Sequence, residues 1–312
     1  MSLDFLSFGE PLVGFYPSEG SSIVDSPLVA KTWGGDTSNF ALGVARLGRS
    51  VSYLTRVGDD PFGGGFIKLW KSNGVDVSLV EVDRSRKTGL YFVSFDGTRH
   101  SLVYYRKDSA ASAVEISALD SLDLGAYRIV HLSGISLGMS QDALGFGLEL
   151  IRRAKKAGAT VSLDVNYRAA QWESREAAAS CLGEALRQGV DILEITDDEM
   201  AALGWGADMA GLEKRFPGLG AMVLKKGKEG AEILAQGQHI IQESFDVAVV
   251  DTVGAGDSFD AGFLVGILEG MTASDAARFA AATAALTCTG RGPLEKMPHR
   301  KEIGRASCRE RV

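Results

Sequence analysis

Apolar residues follow two rhythms along this chain. Short apolar runs at 3–8, 51–57, 129–132, 161–165, 192–195 and 221–224 read as buried strands. Near them lie stretches whose apolar residues recur at helical spacing, at 37–47, 62–71 and, most clearly, 141–156. Alternation of this kind predicts an α/β fold, a mostly parallel central sheet covered by helices on both faces. A further apolar run at 245–250 reads as a strand. It leads through Gly254-Ala255-Gly256 into a helix marked by Phe259, Phe263, Ile267 and Leu268.

Two regions break the alternation. Segments 11–31 and 89–106 hold short alternating strands with no helix between them, and 90–95 with 101–106 reads as a hairpin turning at Asp96-Gly97. A small antiparallel sheet standing off a large one suggests a lid; the same element could equally form a dimer surface. The expected division is therefore a main body of 1–10, 32–88 and 107–301, with 11–31 and 89–106 as a β-sheet lid. Over 302–312 the apolar periodicity stops and the chain turns basic, so this segment, with Cys308, is expected to be a non-native tail, a frayed polar end being the alternative.

Composition narrows the class. At 312 residues, 45% of them hydrophobic and 23% charged, the chain is long enough for one large domain with a full core. A net charge of −7 argues against a nucleic-acid or anionic-membrane surface. Cys181, Cys288 and Cys308 have neither metal spacing nor a paired framework, so a reducing cytoplasm is the expected home. His100, His131, His239 and His299 likewise show no ligand spacing. No signal peptide or membrane-spanning run is evident.

The chemistry concentrates at Asp251-Thr-Val-Gly-Ala-Gly-Asp-Ser-Phe-Asp-Ala-Gly-Phe263. Glycines just before a helix let the backbone turn sharply and expose N–H groups at the positive end of the helix dipole. Asp257 falls in the first helical turn, either as a plain helix-terminal acid or as a base beside an anion hole. The full string resembles the C-terminal signature of the ribokinase-like (PfkB) carbohydrate kinases. That resemblance implies a ribokinase-like fold, ATP and Mg2+ as cofactors, Asp257 as the base that takes a sugar hydroxyl proton, and Gly254, Ala255 and Gly256 as the hole for the transferring phosphoryl.

Trp33-Gly-Gly-Asp-Thr-Ser-Asn39 runs straight into an apolar helix. Read locally, Asn39 is an N-cap. The string resembles the family's first signature, which implies Gly34, Gly35 and Asn39 at the sugar hydroxyls. Val57-Gly-Asp-Asp-Pro-Phe-Gly63 resembles another family string and reads as structural.

A sugar acid carries a carboxylate that a neutral sugar lacks, and guanidinium binds carboxylate two-pronged. Arg106 ends a lid strand, and Arg168 follows the C-terminal end of a core strand, where ligands of open α/β sheets bind. Either arginine alone reads equally as a solvated surface charge. Together, Thr-Gly-Leu-Tyr91, Tyr104-Tyr-Arg-Lys and Leu-Asp-Val-Asn-Tyr-Arg168 resemble the branch acting on 2-keto-3-deoxygluconate. The resemblance, which extends to about residue 298, implies Gly34, Tyr91, Tyr104, Arg106 and Arg168 as ligands of the keto-acid.

On the nucleotide side, Glu199 stands where the family's Asn-x-x-Glu places a water-mediated magnesium ligand, with Thr196 in the Asn position. Lys225, Gly227 and Gly230 resemble the family's turn near the nucleotide phosphates. No P-loop pattern occurs, and no dinucleotide fingerprint follows the first strand. The expected partners are thus a small sugar acid and ATP. A neutral-sugar kinase, a galactonate-epimer kinase and a sugar-acid binding protein without catalysis are the alternatives.

Overall fold

The computed structural model describes residues 3–17, 22–96 and 99–306. In chain order, β1 (Leu3–Phe8), β2 (Leu12–Pro17), β3 (Val29–Gly34), α1 (Asp36–Arg46), β4 (Val51–Gly58), α2 (Pro61–Ser72) and β5 (Val80–Asp83) come first. The lid hairpin β6 (Gly89–Asp96) and β7 (Arg99–Tyr105) follows, then β8 (Tyr127–Ser133), α3 (Gly134–Leu137), α4 (Gln141–Lys156), β9 (Thr160–Asp164) and α5 (Arg175–Gly189). The chain continues through β10 (Ile192–Thr196), α6 (Asp197–Leu203), α7 (Met209–Arg215), β11 (Ala221–Lys225), β12 (Ala231–Ala235) and β13 (Gln238–Gln242). It closes with α8 (Ala255–Leu268), α9 (Ala273–Thr287) and α10 (Arg300–Ala306).

Nine strands form one sheet in the order β13-β12-β11-β10-β9-β8-β1-β4-β5. From β11 to β5 every pairing is parallel, and the hairpin β12–β13 adds two antiparallel strands at one edge. One core lies under α4 and α5, around Phe146, Leu150 and Leu182; the other lies under α1, α8 and α9, around Phe40, Phe263 and Ala280. Helices on both faces explain why the inner strands are buried almost throughout rather than on alternate positions.

Local signals place the helices where the sequence pattern puts them. Asp60 caps α2 by accepting from Phe62 N and Gly63 N at 2.9 Å each, with Pro61 at the first helical position. Its other oxygen takes Thr88 N at 2.9 Å, which ties the start of the lid hairpin to the body. Ser140 caps α4, whose Ala143, Phe146, Leu150 and Ile151 face the core.

The second sheet has the order β3-β2-β6-β7. It is antiparallel apart from β2–β6 and stands off the main sheet as a lid. Strand β3 runs on through Gly34 into α1, so lid and body join at the glycine pair. The expected turn at Asp96-Gly97 falls partly outside the described residues. Ile303 on α10 is buried, whereas Cys308 lies outside the described residues.

One expected strand is absent. The run 245–250 has no ladder partner, and Val249 and Val250 are 61% and 60% exposed. An apolar run becomes a strand only where a neighbour satisfies its backbone groups. This run leaves the sheet edge at β13 and crosses to α8, and Val250 N meets the Cys288 carbonyl instead.

Candidate active site

The parallel strands β8, β9, β10 and β11 end side by side. Their C-terminal ends, with the N-termini of α1 and α8 and the inner face of the lid, enclose a cleft of about 450 Å3. Ile135 follows β8, Asp164 ends β9, Thr196 ends β10 and Lys225 ends β11, and all four line it. This is where an open α/β sheet places its ligands.

Gly254, Ala255, Gly256 and Asp257 form the wall at the start of α8. Gly254 has φ 83°, and a Cβ there would stand 2.4 Å from Pro293 Cβ, so only glycine makes this turn. No side chain caps α8. Ala255 N reaches the Thr252 carbonyl at 3.2 Å, while the N–H groups of Gly256 and Asp257 belong to a first turn with no intrahelical acceptor. An anion is the group that end of a helix accepts.

Asp257 is joined to the other end of the chain. Asn39 Nδ2, on α1, donates to Asp257 Oδ2 at 2.7 Å. Burial and the neighbouring Asp36 carboxylate push the Asp257 acid up to about 7, against the Asn39 bond, which favours the ionised form. A carboxylate so poised near neutrality is suited to take a hydroxyl proton.

Asp36 itself is a site residue that the sequence reading did not single out. It lines the cleft, with Oδ2 accepting from Ser133 Oγ and, at 3.2 Å, from Asn166 Nδ2, while Oδ1 is buried without a partner. Asn166 sits at φ 37°, a strained position two residues ahead of Arg168. Asp164 and Asn166 were also passed over. Their place at the end of β9 was the available signal.

The expected substrate residues divide into two groups. Gly35, Asn39, Tyr91, Tyr104 and Arg168 line the cleft. Gly34 stands behind, where a Cβ would come 3.1 Å from the Tyr91 hydroxyl. Arg168 is 40% exposed, and its Nη1 reaches the Tyr167 carbonyl at 2.9 Å and Glu199 Oε1 at 3.3 Å. Arg106 lies behind the wall, 10% exposed, with Nη2 2.5 Å from Glu10 Oε2.

On the other side, Thr196 and Glu199 form a reciprocal capping box at the start of α6, with Thr196 N to Glu199 Oε2 at 3.0 Å and Glu199 N to Thr196 Oγ1 at 3.2 Å. Lys225 Nζ is held by Asp164 at 3.1 Å and by Asp260 at 2.9 and 3.1 Å, and it still lines the cleft with Gly227. Gly230, at φ 93°, is packed against the Gln242 carbonyl at the base of β12 and is not on the wall. Among the described residues no three His, Cys, Asp or Glu side chains converge to hold a metal, and no helix is long and apolar enough to cross a membrane.

A nine-stranded α/β body, a four-stranded lid and a helix N-terminus beside a near-neutral acid define a ribokinase-like phosphotransfer fold. The sequence profile of the pfkB family carbohydrate kinases matches residues 6–300, and the chain belongs to that family. It is 32% identical over 310 residues to the 2-dehydro-3-deoxygluconokinase of Thermoproteus tenax, covering 96% of this chain and 93% of that protein. It is 31% identical over 312 residues to fructokinase-1 of Zea mays, covering 96% and 95%. The ATP-bound fructokinase of Xylella fastidiosa superposes with a TM-score of 0.89 at 26% identity, covering 100% of each chain.

Proposed function

We propose that this kinase transfers the γ-phosphoryl group of ATP to the terminal hydroxyl of 2-keto-3-deoxygluconate, forming the 6-phospho sugar acid and ADP. The observation that carries the reading is Arg168, a guanidinium 40% exposed inside the same cleft as Asp257. A cleft has little reason to hold a solvent-facing guanidinium for a neutral sugar, and Arg168 stays accessible beyond its 3.3 Å contact with Glu199, so a substrate carboxylate is its natural complement.

In this reading the hydroxyl oxygen attacks the γ-phosphorus, the bond to the β-γ bridging oxygen breaks, and the proton passes to Asp257. The N–H groups at the start of α8 stabilise charge on the transferring group, and closure of the lid over the cleft excludes water. Gly227 and the end of β11 border the nucleotide side. Mg2+ typically keeps its waters and takes one or two carboxylates with substrate phosphates, and Glu199 and Asp164 at the cleft wall fit that manner of binding. The ion would supply charge neutralisation.

A neutral sugar such as fructose is the second reading. It is favoured by the carboxylate partner that Arg168 already has in Glu199, and by the maize relative's name. An ATP-consumption screen over both substrate classes separates the two. Arg168→Ala should raise KM for the keto-acid by about thirtyfold or more, leaving KM for ATP within about twofold. Wild-type preference for fructose, with keto-acid kinetics indifferent to Arg168, would leave only the kinase class standing.

A further inference from the structure

Glu10 is a buried carboxylate that does not line the cleft. It follows β1, an inner strand of the sheet, and is 1% exposed, which for a carboxylate demands compensation. Its Oε2 faces Arg106 Nη2 at 2.5 Å, and its Oε1 accepts the Ser109 hydroxyl. Arg106 stands one residue beyond β7, the outer strand of the lid, and Ser109 lies in the segment that returns from the lid to the body. The same guanidinium group reaches the Ile135 carbonyl through Nη2 at 3.4 Å, and its Nη1 is buried with no partner. Ile135 and Tyr104, the residues flanking Arg106, both line the cleft.

One amino group of Arg106 is therefore spent on the body and the other is not. A buried ion pair adds little to stability, since desolvation offsets the attraction, so its presence at the seam between two sheets calls for another use. Orientation is that use. Without an anchor a long arginine side chain at a strand end samples many rotamers, and fixing it in advance lowers what ligand binding must spend in ordering it. Gly89, at the start of the lid hairpin, leaves room for the anchor, because a Cβ there would stand 2.7 Å from Glu10 Oε1.

We infer that Glu10 is a positioning residue for substrate selection: with Ser109 it holds Arg106 by one amino group, so that the other is presented to the carboxylate end of a sugar acid as the lid closes. The inference rests on the sugar-acid reading above. It assigns Glu10 to discrimination between acid and neutral sugars, and no part in proton or phosphoryl transfer.

The test is a double-mutant cycle on the full-length enzyme, using Glu10→Gln, Arg106→Lys and the pair, assayed on 2-keto-3-deoxygluconate, on fructose and for ATP. Glu10→Gln should raise KM for the keto-acid about tenfold with kcat within about threefold, and leave constants for fructose and ATP unchanged. The pair should be no worse than Arg106→Lys alone, since Glu10 acts through that side chain. Ser109→Ala, which leaves the ion pair intact, gives the same change in smaller measure, about threefold, and serves if Glu10→Gln does not fold. Equal losses on acid and neutral sugars, or additive losses in the cycle, would overturn the inference while wild-type preference for the acid upheld the substrate reading. A wild type that prefers fructose would overturn both.

Discussion

At the scale of residues, the decisive contact is Asn39 to Asp257, 218 positions apart in sequence and 2.7 Å apart in space. On the reading of Asp257 as the base, this contact tempers an acid that burial raises to about 7. An acid raised to about 7 accepts protons only when ionised, so the rate should fall as pH drops through 7. Asn39→Ala removes a bond to the charged form and should move that acid limb up by about half a unit or more. Asp36→Asn removes a neighbouring negative charge and should move it down by a similar amount. A pH profile of kcat/KM checks both signs at once. Asp257→Asn should lower kcat on the order of a hundredfold or more, with binding of ATP changed much less.

At the scale of elements, the turn into α8 leaves little room for variation. Gly254→Ala places a Cβ against Pro293 and strains a φ of 83°, which costs about 1–3 kcal/mol locally and displaces the helix terminus. Turnover should fall more than about tenfold, since a shift of an ångström in a positioned group is worth that much or more. Thermal melting should fall by only a few degrees. A variant with normal kcat would show that the helix terminus does not form the anion hole.

For the molecule as a whole, the parallel sheet carries an unusual charge load. Glu194, fully buried on β10 and paired in register with Asp164, lies against Asp260 and near Lys225. Burial lifts its acid from 4.5 to about 8. A raised folded-state value makes the folded form hold a proton that the unfolded chain has released. Stability is then full below about 4.5 and declines as pH rises to about 8. Glu194→Gln removes that titration. Melting curves from pH 5 to 9 should show the variant gaining on the wild type toward alkaline pH, by on the order of 1 kcal/mol or more. Parallel curves would place the proton on another member of the cluster.

What the sequence by itself determined is local or periodic. The strand and helix rhythm was readable because each element buries its own face, and 141–156 coincides with α4 for that reason. The Gly254 turn was readable because only glycine occupies its φ, and the lid hairpin because alternation at a period of two admits few other forms. Periodicity failed at 245–250, where an apolar run met no partner strand, and it missed β5 and β13, whose exposed positions break the apolar pattern, together with the short β12 between β11 and β13. Only the tertiary structure decided what each charge faces. It set Asp36 beside Asp257, gave Glu10 to Arg106, buried Lys225 between Asp164 and Asp260, and left Arg168 in the cleft. A charged side chain's role depends on its solvent and its neighbours. Those are brought together by strand order, which joins residues far apart in the chain.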